Sequence, residues 1–356
     1  MTGGRGDAPV VSVIMATYRG ADLVSETIAS VQAQTLAAWE LVIVDDGSPD
    51  DTLAVLRAHA AGDPRIRVFA AEANRGPVIA RNAALAHARG RYIAGLDHDD
   101  ICLPERLARQ VAWLDAHPET VLVATAADLL EDGVVRPGRL PAHMPPALVG
   151  WLIRIINPLV WSSVMMRAEA ARARDPFTRN DVLYAEDFEL YHRMARLGGL
   201  ARIDTPLLRY RCHADGISKV HEARMLASAT RVLAEAYAPL FGAAAADAAG
   251  LVIAHIGGGL PIGGEAVLLR LGAILDRLRA DYRLTAAPDQ HALALIDAET
   301  SRLWWQAVRG SVRSGALGLA AARRAARRLA WLRPHGDHAD LWISGAIGAA
   351  RALRAG

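Results

Sequence analysis

Cysteine is nearly absent from this sequence: Cys102 and Cys212 are the only two in 356 residues. Neither lies in a metal-ligand spacing and together they make no disulfide framework, which fits a reducing compartment. Net charge is also low. At +2 the chain lacks the electrostatic footprint of a nucleic-acid binder. The Gly-rich, polar stretch 1–9 has no apolar signal core and reads as a flexible N-terminus. Long uncharged apolar runs are missing as well. The nearest, Ala243 to Leu260, holds Asp247 and His255 and meets three glycines at 257–259, so no membrane span is expected. No G-x-G-x-x-G follows the first apolar run and there is no P-loop, which disfavours dinucleotide and P-loop nucleotide sites. No internal repeat is found. What is present is apolar substance: 52% hydrophobic residues suffice for a large core with an addition, or for two domains. The expected location is cytoplasmic, with peripheral attachment to the inner face of a membrane left open.

The first hundred residues alternate between two patterns. Val10–Ala16, Trp39–Val44, Ile66–Ala70 and Tyr92–Leu96 are short β-rich apolar runs. Between them, Asp22–Thr35, Thr52–Ala61 and Pro77–Ala88 have helical spacing or caps, with Pro77 at a helix start. This alternation predicts an α/β fold with a mostly parallel central sheet flanked by helices. Ligands of such sheets bind at the carboxyl ends of strands. Three of those ends carry polar groups: Thr17-Tyr18, Asp45-Asp46 and Asp97-x-Asp99.

The last of these is the most informative. In an extended chain Asp97 and Asp99 point to one side and His98 to the other. Two like charges held so close call for a cation or a shared proton. A hard divalent ion, Mg²⁺ or Mn²⁺, with a diphosphate as co-ligand is the natural occupant. The competing reading is a solvated acidic turn.

The ordered series V-S-V-I-M-A-T-Y-R (11–19), L-V-I-V-D-D-G-S (41–48), N-R-G-P-V-I-A-R-N-A-A-L (74–85) and Y-I-A-G-L-D-H-D-D (92–100) resembles family 2 inverting glycosyltransferases of the GT-A fold. The resemblance continues through N-P-L-V-W-S-S-V-M-M-R (157–167), Y-A-E-D-F-E-L-Y-H-R-M (184–194) and L-L-R-Y-R-C-H-A-D-G-I-S (207–218). It implies a GT-A catalytic domain over 10–220 and leaves 221–356 as a helical C-terminal region. Ala16 and Arg19 depart from the family's usual Pro and Asn.

By that resemblance Thr17 and Tyr18 lie against the nucleoside. Asp46 or Asp45 accepts from a base ring N–H, as uracil, thymine or guanine offers; the alternative is that both cap the next helix, although Ser48 and Asp50 suffice for that. Arg81 is aimed at the base or diphosphate, against the alternative of a solvated helix face, and Asn82 ranks below it. Asp97 and Asp99 hold the divalent ion and ribose, and Asp100 caps the helix beginning near Pro104. Asp187, the second carboxylate of the Glu186-Asp187 pair, is the catalytic base, although carboxylates also suit a helix N-terminus for its dipole alone. His213 lies near the metal or diphosphate. Arg209, Arg211 and Lys219 are candidate phosphate contacts, with Glu186 on the acceptor or diphosphate side. His192 is structural.

The implied function is metal-assisted single displacement of a sugar from a nucleoside diphosphate donor, UDP-linked by preference, to the hydroxyl of a glycan or lipid-linked acceptor in cell-surface polysaccharide or glycolipid synthesis. A sugar nucleotidyltransferase and a non-catalytic nucleotide-sugar-binding scaffold are the alternatives. Beyond His221 the chain reads as helices at 225–237, 265–282, 290–308 and 316–332. Ser301–Arg333 holds eight arginines and no acidic residue. Arg323, Arg324, Arg327 and Arg328 form one arc opposite Leu319, Ala322, Ala326, Leu329 and Leu332. With Trp304, Trp305 and Trp331 this suggests an interfacial helix on anionic lipid; the alternative is an apolar stripe packed on protein with its arginines in water.

Overall fold

The β-rich runs become strands because their residues are apolar on both faces. β1 (Val11–Thr17) and β2 (Trp39–Asp45) are buried almost throughout in a computed structural model that describes residues 8–213, 220–329, 331–332 and 343–347. β3 (Ile66–Ala70) and β4 (Tyr92–Gly95) complete a parallel set in the order β3-β2-β1-β4. α1 (Val24–Gln32), α2 (Thr52–Gly62) and α3 (Pro77–His87) make the crossovers. Val11, Val13, Met15, Leu41 and Ile43 share a core cluster with Val24, Ile28 and Val31 of α1. Ile14, Val42 and Ile93, on the other face, are also fully buried, as strands covered on both sides require. The chain reverses direction across the sheet at β1, so the β1/β4 junction is the topological switch point. Thr17 and Asp45 sit in register at the ends of β1 and β2.

After β4 the sheet is mixed. β5 (Ile101–Cys102), α4 (Arg106–Ala116), β6 (Thr120–Glu131), β7 (Val134–Arg136), α5 (Pro146–Leu152), β8 (Met165–Arg167), α6 (Ala168–Arg172), α7 (Glu186–Met194) and β9 (Gly199–Cys212) follow in order. β8 slots antiparallel between β4 and β6, while β6 and β9 run parallel along most of their length. The strand order is β3-β2-β1-β4-β8-β6-β9-β5, with β7 paired to β6. The parallel expectation therefore describes the first four strands, and the rest is mixed.

The chain divides into two units, 1–149 with 158–225 and 150–157 with 226–356. The boundary expected near 220 is thus close, but the short segment 150–157 joins the second unit. In that unit Trp151 donates Nε1–H to Thr300 Oγ1 (2.8 Å), Arg154 pairs with Asp281 (2.6 Å), and the Tyr237 hydroxyl donates to the Arg154 carbonyl (2.6 Å). The helices are α8 (Glu222–Phe241), α9 (Ala245–Val252), α10 (Glu265–Ala286), α11 (Gln290–Ser314) and α12 (Leu319–Arg328).

The expectation of an interfacial helix in this half is corrected. Trp304 and Trp305 are not interfacial: both are buried, and Trp305 donates Nε1–H to the Leu332 carbonyl. Trp331 lies under the Arg279 guanidinium at 5.2 Å. α12 buries Ala322 and Ala325 while Arg324 and Arg328 face Glu265, so the apolar stripe packs on protein; Arg333 lies outside the described residues. The helical run Glu222–Gly257, 36 residues with a window of mean hydropathy 1.6, is long and apolar enough to cross a membrane by length and composition alone, a test that the core helix of a soluble protein also passes. That window is 28% buried within the structure. Asp247, within this run, pairs at the surface with Arg270.

Candidate active site

The turn after β2 is built around its own carboxylates. Asp45 accepts from Ser48 N–H (3.1 Å) and Ser48 Oγ–H (2.5 Å), and the Thr17 hydroxyl donates to it at 3.3 Å. Gly47 has φ +69, and a Cβ there would stand 2.8 Å from the Ala73 backbone, so the turn requires glycine. Asp46 reaches the other way, accepting N–H from Arg75 (3.0 Å) and Gly76 (2.7 Å) just before α3. Neither is the N-cap of α2, which is Asp51; Asp50, one residue earlier, accepts from Thr52 N–H and Oγ–H. A carboxylate offers about four acceptor positions, so the bonds to Arg75 and Gly76 leave Asp46 able to accept more. Tyr18 is 37% exposed beside Arg19. Arg19 N–H donates to Ser48 Oγ and Gly20 N–H to Thr52 Oγ1, stitching the β1 loop to the β2 loop.

At the end of β4 the chain turns rather than staying extended, with Asp100 N–H directed at the Asp97 carbonyl (3.4 Å). Asp97 and Asp99 consequently take different partners. Asp97 Oδ1 lies 3.5 Å from Arg81, and its own N–H donates to Ser162 Oγ. Asp99 Oδ2 lies 3.1 Å from His213 Nε2. Burial pushes the Asp97 carboxyl up against the opposing pull of Arg81, and the Asp99 charge adds to the rise. Asp100 does not cap α4, whose N-cap residue is Glu105. It is buried, accepts Arg211 N–H at 2.9 Å, and its Oδ2 has no partner among the described residues. Burial first, then the Asp99 and Asp97 charges, hold its carboxyl well above the usual range.

Arg81 joins these parts. It is buried rather than solvated, because α3 turns it inward over the Trp161 ring (4.2 Å). It pairs with Glu186 Oε1 (2.9 Å) as well as Asp97, and the Asp187 charge also bears on it. Glu186 and Asp187 open α7, whose position is fixed upstream by Asn82. That side chain accepts Thr178 N–H and Oγ–H and donates to the Thr178 carbonyl. Asn82 is thus a structural clamp. Asp187 accepts Phe188 N–H at 2.7 Å. Arg211 holds the Asp99 carbonyl (2.8 Å) and Glu26 (2.5 Å), which anchors the D-x-D turn to α1. Arg209 pairs through its backbone with Ile101, and Lys219 lies outside the described residues. His192 packs edge-on against Phe188.

Among the described residues no three His, Cys, Asp or Glu side chains converge as a ready metal cage. The Asp99–His213 corner, with Asp97 beside it, supplies carboxylate oxygen and imidazole nitrogen. That donor set fits a divalent ion whose remaining ligands come from a phosphate group. Glu26, Ser162, Trp161 and Tyr191 were not singled out from the sequence. Trp161, Ser162 and Tyr191 lie within the family-like runs 157–167 and 184–194, which assigned them no role, and Glu26 lies outside those runs.

A sheet of this strand order and connection is that of the GT-A fold. Solved structures share the fold. S. aureus TarS 1-349 in complex with UDP-GlcNAc is similar over 96% of this chain and 91% of its own (TM-score 0.54, 17% identity). The mannosyltransferase PcManGT from Pyrobaculum calidifontis, in complex with GDP-Man and Mn²⁺, is similar over 92% and 88% (TM-score 0.51, 21% identity). The family model described as glycosyl transferase family 2 matches residues 12–167. The amylovoran biosynthesis glycosyltransferase AmsE of Erwinia amylovora is 31% identical over 196 residues, 54% of this chain and 72% of AmsE. The chain belongs to glycosyl transferase family 2. The succinoglycan biosynthesis protein ExoO of Rhizobium meliloti is 45% identical over 162 residues, 45% of this chain and 44% of ExoO. WfgD of Escherichia coli, a UDP-Glc:alpha-D-GlcNAc-diphosphoundecaprenol beta-1,3-glucosyltransferase, is 40% identical over 108 residues, 30% of this chain and 42% of WfgD. Among the curated relatives first in similarity, the matched part spans from 15% to 73% of the relative's length.

Proposed function

We propose that the chain transfers a sugar, with inversion, from a UDP-linked donor to an acceptor hydroxyl in the assembly of a cell-surface polysaccharide. The observation that carries the reading is Arg81: one buried guanidinium pairs with Asp97 of the D-x-D and with Glu186 beside Asp187. It brings the donor end of the sheet and the start of α7 into one charge cluster, as a displacement between two substrates needs.

Thr17, Tyr18, Asp45 and Asp46 frame the nucleoside, with Asp46 accepting from a uracil ring N–H. Asp97, Asp99 and His213 would hold Mn²⁺ or Mg²⁺, which supplies charge neutralisation to the departing diphosphate. Arg81 keeps the carboxylates of both halves paired and oriented. Asp187 takes the proton from the acceptor hydroxyl as that oxygen attacks the anomeric carbon from the face opposite the diphosphate. ExoO and AmsE act in polysaccharide biosynthesis by their names, and WfgD on a diphosphoundecaprenol-linked acceptor, which supports a glycan or lipid-linked acceptor here. Two free cysteines and a nucleotide-sugar donor suit the cytoplasmic side.

The test is thermal melting with UDP, GDP, dTDP or CDP, each with and without Mn²⁺, on wild type and Asp99→Asn. UDP at about 100 times its Kd, with Mn²⁺, is expected to add about 2.7 kcal/mol, a rise of several degrees. The metal-dependent part is lost in the variant. A shift with GDP alone would overturn the UDP assignment, and no metal-dependent shift with any nucleotide would overturn the donor site.

A further inference from the structure

α4 carries two polar side chains where a helix packed on a sheet ordinarily carries apolar ones. Arg106 and Gln110 stand four residues apart, on one face of the helix, and both are completely buried. The Arg106 guanidinium donates to the Gly95 carbonyl (2.9 Å), the Val164 carbonyl (3.0 Å) and Cys102 Sγ (2.9 Å). Among the described residues no carboxylate pairs with it. A buried charge without a counter-ion is costly, and an apolar side chain of that size would fill the space without the cost. Gln110 Nε2 donates to the Ser163 carbonyl (2.8 Å) and the Val123 carbonyl (2.9 Å). The bonds to Gly95, Ser163 and Val164 converge on one seam, between the end of β4 and the short turn Trp161–Ser163 that leads into β8. Gly95 N–H itself donates to the Val164 carbonyl (3.1 Å), so Arg106 reinforces a contact the backbone already makes. On its other side the same turn presents two groups to the site. Ser162 Oγ accepts Asp97 N–H at 2.9 Å, and the Trp161 ring lies 4.2 Å from the Arg81 guanidinium.

We infer that Arg106, with Gln110 behind it, is a positioning residue for the metal end of the donor site. It fixes the turn 161–163 against the end of β4, and through Ser162 and Trp161 it sets the D-x-D and Arg81 together. The inference rests on the reading of Asp97 and Asp99 as groups that hold the donor and its metal. A guanidinium suits this task because its planar fork holds carbonyls of two chain segments at a fixed angle, which the ammonium of a lysine does not. The nucleoside end has a different support. There the β1 and β2 loops are stitched together by Ser48 and Thr52, and Asp46 is held by the amides of Arg75 and Gly76. None of those bonds involves α4. Loss of the clamp is therefore felt at the metal and diphosphate and not at the base.

Two measurements on the full chain test this, each with Arg106→Lys, which keeps the charge but not the fork, and Gln110→Met, which keeps the volume but not the donor. Hydrogen exchange of the unliganded protein reads the clamp itself. Both variants should speed exchange about 10-fold in peptides covering 93–100 and 160–167, while peptides from β1 and β2 exchange as in wild type. Titration reads the consequence. The Kd for UDP with Mn²⁺ should rise about 10-fold in Arg106→Lys, and the Kd for uridine should stay where it is. In a double-mutant cycle with Ser162→Ala the two losses of UDP affinity should not add, because both act on the Asp97 N–H. Additive losses, unchanged exchange in both variants, or equal weakening of uridine and UDP would overturn the positioning role and leave Arg106 and Gln110 as buried packing. Wild type that binds UDP no better with Mn²⁺ would instead overturn the reading of the donor site, and the exchange rates would still decide the clamp.

Discussion

Glu40 shows how single residues hold the sheet away from the site. It is buried in β2 and accepts from Ser12 Oγ–H (2.6 Å), Arg89 N–H (2.7 Å) and the Arg67 guanidinium (3.0 Å). Burial pushes its carboxyl up, but the hydrogen bonds from Ser12, Arg89 and Arg67 together bring it below the ordinary 4.5. A lowered folded value stabilises the fold above the unfolded value and loses that contribution as pH falls through the folded one. Glu40→Gln is expected to destabilise by about 2 kcal/mol at pH 7. Melting temperatures from pH 3 to 8 should show the gap at full size above the unfolded value and closing in acid; a constant gap would contradict the ionic account. The site is legible at this scale where its parts are contiguous. Asp97-x-Asp99 and Glu186-Asp187 stand out as short acidic strings at the ends of apolar or periodic runs. Arg81 and Glu186 are 105 positions apart, and no local pattern announces that they pair. Asp100 reads as a cap because Asp usually is one before a helix; β9 instead folds over it and supplies Arg211 N–H.

Strands and helices place these groups, and β4 does so by close approach. At Gly95 a Cβ would meet the Trp161 ring at 2.6 Å and its carbonyl oxygen at 2.8 Å. Trp161 in turn supports Arg81. Gly95→Ala is expected to cost about 1–3 kcal/mol, a fall of several degrees in melting temperature, and to weaken nucleotide binding by moving the D-x-D turn. An unshifted melting curve with normal UDP affinity would mean the tryptophan relaxes freely. The first four strands were readable as buried β-rich runs between capped helices, and each lies within a residue or so of its expected bounds. β6 and β9 were not. β6 reads T-V-L-V-A-T-A-A-D-L-L-E, where alanines blunt the strand signal. β9 contains Pro206, tolerated where the β6–β9 register shifts. Their long pairing is what returns His213 to Asp99.

Over the whole molecule the two units are interleaved in sequence. Trp151, Leu152, Ile153 and Ile155 are buried in a segment belonging to the second unit. A chain stopped after Met225 would therefore leave Trp151 without Thr300 and its neighbour Arg154 without Asp281 and Tyr237. It is expected to elute as soluble aggregate and bind the dye ANS, where the full chain does neither. A monodisperse, dye-silent fragment would show that the first unit can cover the segment itself. The helical character of the second half was legible from periodicity, but nothing in the sequence marks the eight residues 150–157 as belonging to it, since membership depends on partners far along the chain. The same feature bears on how the protein is made. Trp151 leaves the ribosome about 150 residues ahead of Thr300, and at ~5–20 residues per second it waits on the order of ten seconds for its hydrogen-bond acceptor. During translation that apolar segment is left without its folded-state cover, a stretch open to chaperone binding.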